Sequence, residues 1–545
     1  MSSSARPASL MSPGRIGTLE LRNRIVMTPM GSNLAEADGH LGERIIRYYE
    51  ERAKGGAGMV IMGVGAIAWP AGACNPKQVA ISDDAFLPGL CEITRRVHGH
   101  GAKIAIQLQH AGKVATRDMA AGRPMLVPSI PEAKAGDLMS EMTREEAQAF
   151  TADFRREGAG MFYHEASKED LAQVVEQFAA AADRARRAGF DGIELHAGHG
   201  YLISSFISPA SNKRTDEYGG PLENRTRLLA ETLQACRSRL GADFPIWCRI
   251  DSCEYRVEGG ITFDDAQQTA EIAEAAGADA IHVSAYADPT SAVAFTEAPL
   301  VHKPCGFVDF AAAVKKRVTV PVIAVGRIEP EEADRLVAEG RADFVAMGRK
   351  LLADPELPRK LDEGRPEDVR PCIYCYTCVG EIFFNRSSRC AVNPASGQEA
   401  ELEIRPATVP KKVLVVGGGP AGMEVARIAA LRGHRVTLCE KRERLGGTAF
   451  FSSLVYPPPR DPGAQAPHRA SPRRRGGREA RRRARSGRHR GGRRCATRAA
   501  RDSGRRAPDG AERRRSARPH HRRRSLGGPR EALAGPTRPR RRGRP

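Results

Sequence analysis

The sequence predicts an α/β protein built from an N-terminal (β/α)8 TIM barrel, a cysteine-rich segment, the start of a Rossmann-like domain and an arginine-rich tail without a fold. Three observations predict it: apolar runs alternate with amphipathic helical stretches over the first 365 residues, four cysteines crowd between 372 and 390, and a glycine-rich turn then follows an apolar run. Strand–helix alternation implies a parallel sheet, and eight such units in this length suggest a closed barrel. The boundaries read as 1–365 for the barrel, 366–408 for the cysteine segment, 409–456 for a partial nucleotide-binding domain and 457–545 for the tail.

The eight expected strands are 24–30, 59–64, 103–108, 192–196, 246–250, 280–284, 320–325 and 344–348. Residues 55–75 are uncharged for long enough to suggest a membrane span, but several glycines and Pro70 interrupt them, so a buried strand running into a loop is the better reading. Barrels of this kind carry their chemistry at the carboxyl ends of the strands. Those ends hold Pro29 and Met30, Gln107, His196 with His199, Arg249, His282, Gly326-Arg327 and Gly348-Arg349. The two Gly-Arg pairs offer backbone N–H groups and guanidinium to a phosphate, the plain alternative being surface arginine. His196 and His199 have the spacing of a helical metal pair, yet they follow a strand and no carboxylate ligand is evident nearby. His282 either reaches the site or satisfies a loop carbonyl.

Cys372, Cys375, Cys378 and Cys390 form C-x2-C-x2-C-x11-C. Three sulfurs so close converge on one centre, which favours a metal over disulfides. Zinc usually takes two separated knuckles, so a 4Fe–4S cluster is the preferred ligand. Further on, Gly417, Gly419 and Gly422, with Ala421 among them, follow an apolar strand, and Glu440 closes the next strand. That is the spacing of a dinucleotide turn with an acid for a ribose hydroxyl, and the Arg444-to-Thr448 run agrees with it. Only one β-α-β element precedes the tail.

Residues 457–545 contain 31 Arg, no Lys and six acidic residues, a net +25 within a chain of net +21, so the remainder carries −4. The basic character therefore belongs to the tail, and the body shows no nucleic-acid footprint. After Val455 the larger aliphatics are Leu526 and Leu533 alone, too few to offset chain entropy, so disorder is expected. A nucleic-acid-binding arm and an out-of-frame translation of a GC-rich gene both fit this composition, and the abrupt switch favours the second. No targeting segment is convincing, and a cytoplasmic location is expected.

The run from Asp191 through His196, His199 and Tyr201 to Ile203, with Ser208 to Gly220 and Glu223-Asn224-Arg225, strongly resembles the old yellow enzyme family of flavin-dependent oxidoreductases. With the cysteine run and glycine turn added, residues from about 12 to 455 resemble its larger iron–sulfur branch, which includes bacterial 2,4-dienoyl-CoA reductase and trimethylamine dehydrogenase. The resemblance implies FMN in the barrel, a 4Fe–4S cluster beside it, and a two-lobed domain for FAD and NAD(P)H. It implies that Thr28, Pro29 and Met30 touch the flavin through their backbone, that Ala66 lies near the ring, that Gln107 bonds the pyrimidine edge and that Arg249 faces N1 and O2. Gly326, Arg327, Gly348 and Arg349 would hold the phosphate, and Gly417, Gly419, Ala421, Gly422, Glu440 and Thr448 the second nucleotide. His196 and His199 would bond a substrate carbonyl, with Tyr201 as proton donor.

The implied reaction carries electrons from NAD(P)H through FAD and the cluster to FMN and then to an activated C=C. FAD retention should be poor in so short a lobe. The cysteine spacing fits the amine dehydrogenases better and the histidine pair fits the ene-reductases, so oxidative demethylation of a tertiary amine is the alternative. From another class, an inactive barrel with a nucleic-acid arm is the remaining one. The expected partners are a small-molecule substrate and NAD(P)H, without nucleic acid or membrane, and with a homo-oligomer left open.

Overall fold

A computed structural model of the chain describes residues 7–132, 143–152, 158–287 and 303–449. The tail at 457–545 lies outside the described residues. Eight strands pair in parallel and in chain order: β1 (Ile25–Met27), β2 (Met59–Ala66), β3 (Lys103–Gln109), β4 (Gly192–Ala197), β5 (Ile246–Tyr255), β6 (Ile281–Ala287), β7 (Val322–Ala324) and β8 (Phe344–Ala346). Val345 of β8 stands opposite Ile25 of β1, which closes the barrel and leaves no free edge among the eight. The expected strands are all present in the expected order. Runs 24–30 and 344–348 overshoot β1 and β8 at their carboxyl ends, because residues 28–30 and 347–348 leave the ladder to line the barrel mouth.

Eight helices follow the strands in turn: α1 (Glu43–Lys54), α2 (Leu87–His98), α3 (Lys168–Arg187), α4 (Arg227–Leu240), α5 (Phe263–Ala275), α6 (Val308–Lys315), α7 (Pro330–Ala338) and α8 (Arg349–Ala353). Both α3 and α5 begin on reciprocal capping boxes, Ser167 with Asp170 and Thr262 with Asp265, which satisfy two otherwise orphaned N–H groups each.

Side chains alternate along a strand, so each barrel strand shows one row to the helices and one to the lumen. Ile25, Met27, Ile104, Ile106, Ile193, Leu195 and Val345 belong to the outer core. Val26, Ile61, Ala105, Trp247, Ala280, Ile323 and Phe344 fill the lower lumen together with Ile16, Leu19 and Leu21 of an N-terminal hairpin, Gly14–Ile16 with Leu19–Leu21. Two residues further along the same rows the lumen turns polar. Thr28 follows Val26, Gln107 follows Ala105, Arg249 follows Trp247 and His282 follows Ala280.

The cysteine segment contains α9 (Thr377–Phe383) and is tied to the barrel at several points. Arg52 of α1, fully buried, pairs with buried Glu399. Asn33 Nδ2 donates to Asn385 O at 2.8 Å, and Asn393 Nδ2 to Leu352 O at 2.8 Å. Beyond it, β9 (Lys412–Val416), α10 (Pro420–Leu431) and β10 (Arg435–Cys439) form a single β-α-β element with parallel strands, leaving Leu414, Val416 and Val425 exposed. Among the described residues no helix is long and apolar enough to cross a membrane.

Candidate active site

Parallel register sets the polar rungs of the mouth. Gln107 stands opposite Glu194, Glu194 opposite Trp247, His196 opposite Arg249, and Arg249 opposite His282. Glu194 is the hub. It accepts from Gln107 Nε2 at 2.7 Å and from Trp247 Nε1 at 2.7 Å, and its Oε2 lies 2.8 Å from His282 Nδ1. Burial works to raise the Glu194 carboxyl, but His282, Arg249 and the Trp247 N–H outweigh it and hold the group below its ordinary range. An ionised carboxylate only accepts, so His282 carries its proton on Nδ1. The partner of His282 is thus a buried carboxylate, whereas the sequence left a loop carbonyl as the bland possibility.

Arg249 donates through Nη1 to Thr28 Oγ1 at 3.3 Å and through Nη2 to Ser284 Oγ at 3.0 Å. Ser284 Oγ in turn lies 2.8 Å from His199 Nε2. His196 and His199 meet edge to face with ring centroids 4.8 Å apart, and Tyr201 stands 4.7 Å from His196. His196 Nδ1 accepts the Gly198 N–H at 3.3 Å, which assigns its own proton to Nε2 and makes that nitrogen a donor. Burial first, and Arg249 next, hold both imidazoles well below their ordinary pKa, so both are neutral at pH 7. Neutral N–H donors in a dry site can polarise a carbonyl. His199 sits at φ +62°, and its N–H donates to Asp251 Oδ2 at 2.6 Å. Asp251 Oδ1 is also 3.8 Å from His199 Nε2, so the pair does have a carboxylate neighbour, contrary to the sequence expectation. No group of three His, Cys, Asp or Glu side chains poised for a metal ion occurs among the described residues.

The floor of the mouth is shaped by glycine. A Cβ on Gly63 would stand 2.5 Å from Met30 N, and one on Gly348 would stand 2.7 Å from Thr28 Cγ2 and 2.8 Å from Met30 Sδ. Thr28, Pro29 and Met30 are therefore held between the ends of β2 and β8. Ala66, fully buried, pairs in register with Gln109, whose Nε2 is buried without a partner among the described residues. Buried polar atoms are hydrogen-bonded as a rule, and such an atom at the barrel mouth suits a polar guest. Gly326 has φ +118° and Arg327 φ +54° at the end of β7. The Arg327 guanidinium lies 4.6 Å from the Tyr374 ring and that of Arg349 5.2 Å from the same ring. Tyr374 also donates to Glu329 Oε1 at 2.6 Å and accepts from Lys350 Nζ at 2.5 Å. Both arginines expected to bind phosphate are thus stacked on one tyrosine of the cysteine segment.

Cys372, Cys375, Cys378 and Cys390 line one cavity together with Arg349, Tyr374 and Tyr376. Burial pushes the Cys378 thiol up to about 12 and raises Cys372 as well, with Arg349 opposing both. In the β-α-β element Gly417 has φ +105°, and a Cβ on Gly422 would collide with Gly417 O, so the turn admits only glycine there. Gly419 caps α10, and Ala421 lies in its first turn. Glu440 Oε2 accepts from Gly418 N at 2.7 Å and Oε1 from Arg442 N at 2.9 Å, which ties the acid to the glycine turn. Thr448 follows Gly447, which approaches Gly419.

Sequence reasoning missed Glu194, Asp251, Ser284, Cys74 and Tyr374. Three of them carried a readable signal, since each stands two residues from a chosen one on the same lumen-facing row. Cys74 had none. It comes from the loop after β2, packs beside Tyr201 against Ala111, Ala115, Met119 and Met125, and has its thiol pushed up to about 11 by burial.

Residues 9–368 match the family model described as NADH:flavin oxidoreductase / NADH oxidase, and residues 412–542 match FAD dependent oxidoreductase, a match that runs past residue 456. The chain is 42% identical over 455 residues to an NADH oxidase of Thermoanaerobacter brockii, covering 82% of this chain and 65% of that one. It is 36% identical over 464 residues to an N,N-dimethylglycine/sarcosine dehydrogenase of Chromohalobacter salexigens, covering 83% and 63%. Among solved structures, a 2-naphthoyl-CoA reductase complexed with 2-naphthoyl-CoA is similar at 32% identity and TM-score 0.72, covering 81% of this chain and 66% of that one. The chain spans just under two thirds of the length of these relatives. It belongs to the NADH:flavin oxidoreductase / NADH oxidase family.

Proposed function

We propose that the barrel binds FMN and reduces an activated C=C, in an enoyl or dienoyl thioester, an enoate or an enone, with electrons drawn from NAD(P)H. The observation that carries this reading is the constellation of two neutral imidazoles and a phenol at one strand end, with His196 Nε2 a donor. His196 and His199 bind and polarise the substrate carbonyl, which makes the β-carbon electron-poor, and Tyr201 holds the proton for the neighbouring carbon. FMN supplies hydride when bound. Thr28, Pro29, Met30 and Ala66 support its ring. Gln107, whose Nε2 is taken by Glu194, offers Oε1 to the pyrimidine edge, and Arg249 favours negative charge near N1 and O2. Gly326, Arg327, Gly348 and Arg349 hold its phosphate.

The four cysteines hold a 4Fe–4S cluster, which exchanges single electrons with carriers that store two. Four sulfurs lining one cavity support this assignment, and since no three His, Cys, Asp or Glu side chains are poised for a metal ion among the described residues, the thiols must draw closer to take the cluster up. Gly417, Gly419, Ala421, Gly422, Glu440 and Thr448 approach FAD, and the one β-α-β element among the described residues, with its exposed sheet, retains it poorly. Flavins released from anaerobically purified protein, with iron and sulfide assayed on the same sample, test the cofactors. FMN with iron and sulfide but little FAD supports the reading; absence of FMN overturns it, and FMN and FAD in equal amounts overturn the weak-lobe part.

Oxidative demethylation of a tertiary amine is the second reading, favoured by the C-x2-C-x2-C spacing. Loss of NADH absorbance with an enone or enoyl thioester supports the first, and formaldehyde release from a tertiary amine supports the second.

A further inference from the structure

Asp251 stands two residues past Arg249 on β5 and faces the same lumen, yet it has no part in the chemistry just described. Its side chain is fully buried. Oδ2 accepts the His199 N–H at 2.6 Å and the Ser204 hydroxyl at 3.1 Å. Oδ1 meets no donor among the described residues, lies under Gly198 where a Cβ would stand 2.8 Å away, and is 3.8 Å from His199 Nε2. The groups facing this acid are Arg249 and Glu254 from β5, His199 just past β4, Ser284 opposite it on β6 and Ser204 from the helix Leu202–Ile207, while His196 and His282 stand opposite Arg249 and act on His199. Burial, with Glu254 adding to it, pushes the Asp251 carboxyl up to about 8, against the pull of the His199 N–H, Ser204 and Arg249.

His199 Nε2 thus lies between two oxygens, Ser284 Oγ at 2.8 Å and Asp251 Oδ1 at 3.8 Å. Ser284 Oγ already accepts from Arg249, so its own proton is free for Nε2. A neutral imidazole that accepts at Nε2 carries its proton on Nδ1. An ionised carboxylate at Oδ1 favours the opposite tautomer, with the proton on Nε2 directed at the acid. The ring then offers a lone pair at Nδ1 where it had offered a donor.

We propose that Asp251 is a positioning residue that selects the tautomer of His199: protonated, it leaves an N–H on Nδ1 for the substrate carbonyl, and ionised, it draws the ring proton to Nε2. The carboxyl proton passes to solvent, and the imidazole stays neutral throughout. This rests on the reading of His199 as a carbonyl-binding residue. It makes substrate binding weaken with rising pH although neither histidine of the pair titrates in that range.

The test is anaerobic titration of the oxidised holoprotein with 2-cyclohexen-1-one, which has no titrating group, followed by the FMN absorbance change. Wild type should bind about tenfold more weakly at pH 9 than at pH 7, as the competent fraction falls. Asp251→Asn should flatten that difference to within about twofold. The same alkaline limb in the variant overturns the proposal. Bound FMN with no enone binding at any pH overturns the carbonyl-site reading on which it rests. Thermal melting supplies an arm independent of the ligand, and Asp251→Ser serves if the amide does not fold: wild type should lose stability relative to the variant between pH 5 and 8, and parallel curves overturn the proposal.

Discussion

At the scale of the residue, the mouth of the barrel is a small set of donors and acceptors whose protonation is set by burial. Tyr201→Phe removes the phenolic proton while leaving the ring against His196. Reduction of the C=C should fall roughly 10²- to 10⁴-fold with flavin reduction by NADH unchanged, as read by separate stopped-flow half-reactions. Glu194→Ala strands Gln107 Nε2, Trp247 Nε1 and His282 in a dry lumen, and loss of one partner from such a buried charged network costs about 3–5 kcal/mol. A urea midpoint that barely moves would refute the hub. The sign for Asp251 follows from linkage. Its folded pKa of about 8 stands above the ordinary 3.8, so the folded state binds the extra proton between those values. This contribution to stability is complete below the lower value and is lost as pH rises through the upper one.

At the scale of the element, glycine and period-two alternation decide what each strand end does. Gly348→Ala at the foot of α8 drives a methyl into Thr28 and Met30, and FMN affinity should drop at least about tenfold in a fluorescence titration of the apoprotein, the overpacking costing about 1–3 kcal/mol. Strand positions were legible because strands buried on both faces read as unbroken apolar runs. The polar residues flanking the chosen ones were less so. Glu194 and Asp251 lie on the same rows as His196 and Arg249, but a lone carboxylate in an apolar run states nothing about its partners, which come from strands 50 or more residues away: 53 for Glu194 with Trp247 and 52 for Asp251 with His199. Tyr374 was illegible for another reason. Its φ of +52° and its contacts with Arg327, Arg349 and Lys350 depend on where the cysteine segment crosses the ends of β7 and β8.

At the scale of the whole molecule, the barrel and the cysteine segment are joined through buried polar contacts, Arg52 with Glu399, Asn33 with Asn385 and Asn393 with Leu352. Arg52→Met leaves Glu399 buried without its cation and should cost about 3–5 kcal/mol at that junction. Iron and sulfide content should fall while FMN is kept; equal loss of both would show that the two parts unfold together. The order of events during folding follows from the same pair. Arg52 and Glu399 stand 347 residues apart, so their contact cannot form until every barrel strand has been made, and non-local contacts of this kind are late. On a growing chain the cation waits in water for its carboxylate. The four thiols are near neighbours in sequence and need no such wait among themselves, but the cavity they share with Arg349 of α8 is complete only when the cysteine segment docks on the barrel.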